Sequence, residues 1–137
     1  MRVVLDTNVI ISAFIKSRSN PADILQMVLE RKLSLCFNPA ILSEYEGVTG
    51  RPKFASIIDH DKVRRFIDLL QKIGISHTPS PSTGIMPDKD DRIFYDTAKE
   101  TGAYLITGNT KHYPSEFFII NPADFLALIN KRQAASP

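Results

Sequence analysis

The sequence has little of three features that would place it in a specialised class: cysteine, long apolar runs and an excess of charge of one sign. Its single cysteine, Cys36, lies in the apolar stretch 33–37, where a buried thiol is expected rather than a nucleophile or a ligand. No run approaches the roughly 18 apolar residues that a membrane span requires. The 17 basic and 15 acidic residues are too evenly balanced to establish a nucleic-acid partner.

The beginning of the chain also lacks the pattern of a secretory signal. Only three apolar residues separate Arg2 from the acidic Asp6, and no small-residue cleavage site follows. With 137 residues, of which 43% are apolar and 23% charged, the composition is that of an ordinary globular domain. We therefore expect a cytoplasmic protein with one domain over residues 1–132 and a flexible tail over 133–137.

Local patterns predict strands that alternate with helices. The β-branched run 2–5 predicts a first strand, and strands are also predicted at 75–77, 103–106 and 117–120. Asn-Pro pairs at 20–21, 38–39 and 121–122 each predict a helix N-cap followed by a proline at the first helical position. The helices predicted in this way span 21–31, 39–48 and 122–131, and further helices are predicted at 60–73 and 91–100.

This alternation, without a tight hairpin signal, predicts parallel strand pairing and an α/β sandwich. Functional sites of open parallel sheets lie outside the carboxyl ends of the strands. Asp6 and the turn formed by Thr107, Gly108 and Asn109 are both predicted to lie at that edge.

Acidic residues at separate places in the chain are candidate metal ligands. Asp6 follows the first strand, Glu44 lies on a mostly apolar helix, and Asp88, Asp90 and Asp91 crowd the start of another helix. Each has an ordinary alternative role, as a helix cap, a solvated residue or a partner of the helix dipole. However, three clustered carboxylates resist simultaneous ionisation unless a cation neutralises them. Hard oxygen ligands favour Mg²⁺ or Mn²⁺, and the histidines show no zinc-ligand spacing.

In combination, four segments resemble the PIN-domain family, and within it the toxin components of prokaryotic toxin–antitoxin operons. They are Asp6-Thr7-Asn8-Val9, Ser43-Glu44-Tyr45, Asp91 seven residues before Ala98, and Thr107-Gly108-Asn109. The resemblance covers the chain from residue 2 to about residue 128. It implies a three-layer α/β/α sandwich with a central, mostly parallel sheet, cleavage of single-stranded RNA, and a Mg²⁺ or Mn²⁺ cofactor. It further implies an antitoxin partner, a homodimer, and metal ligation by Asp6, Glu44 and Asp91.

The chain departs from this family at Asn109, where many members have an aspartate. An amide oxygen can still coordinate a hard cation, but a second metal should bind weakly or not at all. Asp88 or Asp90 could supply the missing charge. Thr107 would then place a hydroxyl near the water that the metal activates, while Arg51, Lys53 and Lys89 could hold the RNA backbone.

Two other functions stay open at this point. In one, Asp6 is the aspartyl nucleophile of a phosphotransfer or phosphohydrolase domain, a class that usually has a second aspartate where this chain has Asn8. In the other, Asn109 has removed catalysis from an intact fold, which leaves a protein that binds RNA or a protein partner.

Overall fold

In the computed structural model, residues 1–81 and 91–135 are described, and they form five strands and six α-helices. The strands are β1 (Arg2–Leu5), β2 (Ser34–Phe37), β3 (Ile75–Ser76), β4 (Tyr104–Ile106) and β5 (Ile119–Ile120). The helices are α1 (Thr7–Ile15), α2 (Asn20–Leu29), α3 (Pro39–Thr49), α4 (His60–Ile73), α5 (Arg92–Thr101) and α6 (Pro122–Ala135). None of these helices combines the length and the apolar character needed to cross a membrane.

The strands form one sheet in the order β3-β2-β1-β4-β5, and all four pairings are parallel. The predicted α/β fold, with helices layered on a central parallel sheet, is confirmed. The chain adds β2 and β3 on one side of β1 and then crosses to the other side for β4 and β5. In sheets of this order, the crevice at the carboxyl ends of the two strands where the direction reverses is the usual ligand site. Here those strands are β1 and β4.

The middle of the sheet is apolar because β1 and its neighbours are covered by helices. Val3, Val4 and Leu5 are completely inaccessible to solvent, which explains the unbroken β-branched and aliphatic run of the first strand. Stretch 33–37 contains β2, and Cys36 is fully buried there, as expected. Burial raises the pKa of the Cys36 thiol, so the thiol has little nucleophilic character.

Most predicted helix boundaries agree with the structure, and one predicted cap is wrong. The N-cap of α2 is Ser19, whose hydroxyl accepts a hydrogen bond of 3.2 Å from the Ala22 N–H, whereas Asn20 is already helical. Ser19 is in extended backbone, as an N-cap must be. At the other end of the chain, α6 continues to Ala135 and so includes residues 133–135, which were expected to belong to the tail.

Asn38 illustrates how a local cap also joins distant elements. Its Oδ1 accepts from the Ile41 N–H at 3.0 Å, which caps α3 as predicted. Its Nδ2 donates to the His77 carbonyl beyond β3 at 3.1 Å and to the Thr97 hydroxyl on α5 at 3.0 Å. Because the side chain is almost fully buried, these bonds fix α3 and α5 to the carboxyl edge of the sheet.

Asn38→Ala should lower the free energy of unfolding by about 2–3 kcal/mol, because it removes the cap of α3 and both hydrogen bonds by which the side chain holds the His77 carbonyl and the Thr97 hydroxyl. Asn121 is a matched control, since it is also the asparagine of an Asn-Pro pair and accepts from the Asp124 N–H at 2.8 Å, but at an exposed site. Asn121→Ala should cost only about 1 kcal/mol. Urea denaturation measures both values, and equal losses would contradict a joining role for Asn38.

Candidate functional site

Asp6 lies at the carboxyl end of β1 and is the centre of a buried hydrogen-bond network. Asp6 is only 6% exposed, and three side chains donate hydrogen bonds to its Oδ2 atom. The Thr107 hydroxyl donates at 2.8 Å, the Tyr113 hydroxyl at 2.9 Å, and the Asn8 amide at 3.5 Å. Such donors replace the water that a polar side chain loses when it is buried.

Strand pairing places Thr107 opposite Asp6. The Asp6 N–H donates to the Ile106 carbonyl at 3.0 Å, which continues the β1–β4 ladder by one residue. The Thr107 N–H donates to the Ile120 carbonyl at 3.0 Å, which does the same for β4 and β5. The Thr107 side chain is fully buried. Thr107, predicted as a hydroxyl near a metal-bound water, is therefore a direct partner of the Asp6 carboxylate.

Asn8 fastens the turn after β1 to the turn after β4. Its Oδ1 accepts from the Gly108 N–H at 3.0 Å, and its Nδ2 lies 3.5 Å from the Thr107 hydroxyl. A Cβ atom at Gly108 would lie 3.4 Å from Asn8 Oδ1, an ordinary van der Waals distance, so this contact alone does not require a glycine. In the sequence, Asn8 stands out as part of the Asp6-Thr7-Asn8-Val9 motif and as the residue at which an aspartyl-nucleophile domain usually has a second aspartate. Its position two residues after Asp6, at the same sheet edge as Gly108, was the signal for this role.

Tyr113 is a site residue that the sequence analysis missed. It follows the 3₁₀ turn Thr110–His112 and is 6% exposed, with its hydroxyl bonded to Asp6. Burial raises the pKa of Tyr113, and the charges of Asp6 and Asp91, with hydrogen bonds to both, raise it further. The phenol therefore keeps its proton, and its one O–H donates to Asp6. No local pattern marks it, because its partner lies 107 positions earlier in the chain.

Asp91, at the start of α5, is brought to the same place and is half-buried. Besides Tyr113, it faces His112, whose Nδ1 lies 3.8 Å from Asp91 Oδ2. The other ring nitrogen of His112 lies 2.8 Å from the side-chain nitrogen of Asn109. Both contacts are favourable when the proton is on Nδ1 and Nε2 accepts from Asn109.

Asn109 contacts the network through both its side chain and its backbone. Its side-chain amide bonds to His112, and its backbone N–H donates to the Thr107 hydroxyl at 3.1 Å. The residue thus supports Thr107 directly and reaches Asp91 through His112. His112 itself is largely exposed, as expected for a histidine outside a ligand set.

Glu44 is half-buried on α3, one position before a residue that anchors this helix to the sheet. That residue is Tyr45, whose hydroxyl donates at 2.5 Å to the carbonyl of Leu5, the residue directly before Asp6. Burial raises the pKa of Tyr45, and the Asp6 charge adds to this effect. Within residues 1–81 and 91–135, no three His, Cys, Asp or Glu side chains form a ready metal cluster. The convergence of Glu44 with Asp6 and Asp91 stays a prediction.

The donor set nevertheless fits a hard divalent cation. Asp6 and Asp91 supply carboxylate oxygens around one tyrosine hydroxyl, and no cysteine or zinc-type histidine set competes in this part of the site. Next to Asp6, the buried Thr7 hydroxyl has no hydrogen-bond partner among the described residues, which is the state of a polar group beside a ligand or water site. Asp88, Lys89 and Asp90 lie outside the described residues.

Comparison with known proteins gives a consistent relationship. Residues 2–111 match the family model described as PIN domain. An uncharacterized protein of Methanocaldococcus jannaschii is 29% identical over 110 residues, which cover 80% of this chain and 71% of that protein. The fold is similar to a chain in the crystal structure of VapBC2 from Rickettsia felis bound to a DNA fragment from their promoter. That similarity has a TM-score of 0.56 at 17% identity and covers 88% of this chain and 97% of the other.

Thr107→Val should lower the free energy of unfolding by about 1–3 kcal/mol, because it keeps the shape of the side chain but removes a donor to a buried carboxylate. Thr107→Ser keeps the hydroxyl and should lose less. Thr101→Val is the control, since the Thr101 hydroxyl donates at 2.7 Å to a helix carbonyl, that of Thr97. Chemical denaturation gives all three values. If Thr107→Val were as mild as Thr101→Val, the Thr107–Asp6 bond would contribute nothing special to stability.

Proposed function

Because the chain belongs to the PIN-domain family, whose members are generally nucleases, we propose that it is a metal-dependent endoribonuclease that cleaves single-stranded RNA. The observation that carries the proposal is the buried Asp6 carboxylate at the switch between β1 and β4, joined to Asp91 through Tyr113. A negative site buried at the usual ligand edge of a parallel sheet suits a cation and, through it, a phosphate.

Asp6, Glu44 and Asp91 would hold one Mg²⁺ or Mn²⁺ ion. When bound, such an ion activates water as a nucleophile and offsets the charge that develops on the phosphate. Thr107 and Tyr113 hold the Asp6 carboxylate in place. Asn8 fixes the turn after β4 through Gly108.

Two exposed cations are candidates for contacts with the RNA backbone. Arg51 and Lys53 are exposed beyond the C terminus of α3, and the Lys53 ammonium lies 5.0 Å from the centre of the Phe54 ring. Exposed arginine and lysine side chains bind phosphates without regard to base sequence. We propose that they contribute affinity for a single strand rather than chemistry.

The similarity to a chain of the VapBC2 complex supports an antitoxin protein as the partner that controls this activity. The chain would then be the toxin of a toxin–antitoxin pair that acts in the cytoplasm, with a homodimer as its expected assembly. An antitoxin segment that supplies a basic side chain to the acidic site would inhibit it by competing with the cation for Asp6 and Asp91.

One observation favours a second candidate, a PIN fold that binds RNA or a protein but cleaves weakly. Asn109 replaces a family carboxylate and uses its amide on His112. The site therefore carries less negative charge than in members with an aspartate at this position. The aspartyl-nucleophile alternative has less support, because the Asn8 amide is committed to Gly108, Thr107 and Asp6.

Asp6→Asn should reduce Mn²⁺-dependent cleavage of a fluorescent single-stranded RNA by at least about a hundredfold, since even loss of an outer-shell partner commonly costs 10–100-fold. Saturating Mn²⁺ should raise the melting temperature of the wild type but not of this variant, because a ligand that binds only the native state stabilises it. Asp68→Asn, at an exposed position on α4, is the control.

If the melting temperature of the wild type does not change when Mn²⁺ is added, the proposed metal site is refuted. A wild type that binds Mn²⁺ and RNA but leaves the RNA intact would favour the weakly catalytic candidate.

Asn109→Asp should tighten Mn²⁺ binding and raise cleavage at low metal concentration, because it adds a fourth carboxylate around the ion. Without metal, the variant should be less stable, since the new charge joins Asp6 and Asp91 in the same network. A Mn²⁺ titration of cleavage and of melting temperature measures both effects. Identical titration curves for the two proteins would place position 109 outside the reach of the ion.

A further inference from the structure

The two oxygens of the Asp6 carboxylate have different surroundings. Every side-chain hydrogen bond that Asp6 receives within residues 1–81 and 91–135 goes to Oδ2. Two of these bonds are short, and they come from separate segments, the end of β4 and the loop after the 3₁₀ turn Thr110–His112. Oδ1 accepts none of these bonds. Among the residues that the structure describes, Oδ2 is thus the oxygen that side chains hold, and Oδ1 is the oxygen that accepts no side-chain hydrogen bond.

From this geometry we propose that Tyr113 is a positioning residue, whose hydroxyl holds Oδ2 of Asp6 so that Oδ1 binds the cation. This inference rests on the metal site of the proposed function and assigns it a residue beyond the ligands. Tyr113 acts through Asp6 and does not touch the reacting phosphate.

A carboxylate needs such a device because its last torsion is broad and nearly two-fold symmetric, so the side chain alone does not choose which oxygen faces a ligand. One donor restrains this rotation weakly. Two donors on the same oxygen, Thr107 and Tyr113, restrain it from two directions. Outer-shell hydrogen bonds of this kind orient metal ligands and tune their affinity.

Tyr113 is also suited to link Asp6 with Asp91. The charges of both carboxylates raise the pKa of the Tyr113 hydroxyl, and the ring of Tyr113 is buried in the core. Two like charges close together repel each other, and an O–H between them offsets part of that repulsion. The same residue thus lets Asp6 and Asp91 share one small site before a cation arrives.

The test compares Tyr113→Phe with Tyr95→Phe in the full-length protein. Tyr95 is a matched control, because its hydroxyl also bonds a carboxylate, Glu116 Oε1 at 2.9 Å, but away from the Asp6 network. Isothermal titration with Mn²⁺ should show binding weakened by about ten- to a hundredfold in Tyr113→Phe and unchanged in Tyr95→Phe. The Mn²⁺ concentration for half-maximal RNA cleavage should rise in parallel, whereas the rate at saturating Mn²⁺ should change much less.

A rescue variant separates positioning from simple packing. Replacement of Tyr113 by 4-aminophenylalanine keeps the ring and offers an N–H donor at the same place, so it should restore most of the Mn²⁺ affinity. It also keeps the question decidable if Tyr113→Phe does not fold. A merely structural role would lower the melting temperature without metal but leave the Mn²⁺ affinity of the folded protein unaltered.

Wild-type Mn²⁺ affinity in Tyr113→Phe would overturn the inference, and so would failure of the rescue variant to bind better than Tyr113→Phe. Mn²⁺ binding that depends on Tyr113, in a protein that cleaves no RNA, would support the inference while it refutes the proposed nuclease function. A wild type that binds no Mn²⁺ would overturn both.

Discussion

The rest of the structure depends on one constraint, the burial of the polar Asp6 side chain at the end of β1. Burial removes this side chain from water, so it needs hydrogen-bond donors that solvent no longer supplies. The fold collects them from three segments: the first turn of α1 supplies Asn8, the end of β4 supplies Thr107, and the loop beyond supplies Tyr113. The order of the strands, with β1 beside β4, makes this collection possible.

Two buried polar side chains hold the helices around this point. Tyr45 bonds the backbone at Leu5, and Asn38 joins α3, α5 and the end of β3. Both residues sit at the carboxyl edge, where the strands stop and backbone groups would otherwise lack partners. The edge that carries the acidic site is thus also where polar contacts fix the helices, so the site rests on rigid elements.

The sequence predicted what depends on local pattern and left open what depends on distant contacts. The position of Asp6 followed from an apolar strand that ends in a charge, and the Asn38 cap followed from a neighbouring proline. The Asn20 cap failed because Ser19 is an equally good cap one residue earlier and also donates to the Lys16 carbonyl, which fixes the preceding turn. Tyr113 had no local signal at all. The bond between Asn109 and His112 likewise depends on the conformation of a 3₁₀ turn that composition does not specify.

The separation in sequence between Asp6 and its partners has a consequence for how the protein is made. Thr107 and Tyr113 are synthesised more than a hundred positions after Asp6. Contacts this distant form only when the whole sheet assembles, and a chain of this size folds as a unit. Until the ribosome has passed Tyr113, a nascent chain therefore exposes Asp6 as an ordinary solvated aspartate. If the folded protein cleaves RNA, the ribosome has already read the whole coding stretch from Asp6 to Tyr113 before the site can act on that messenger.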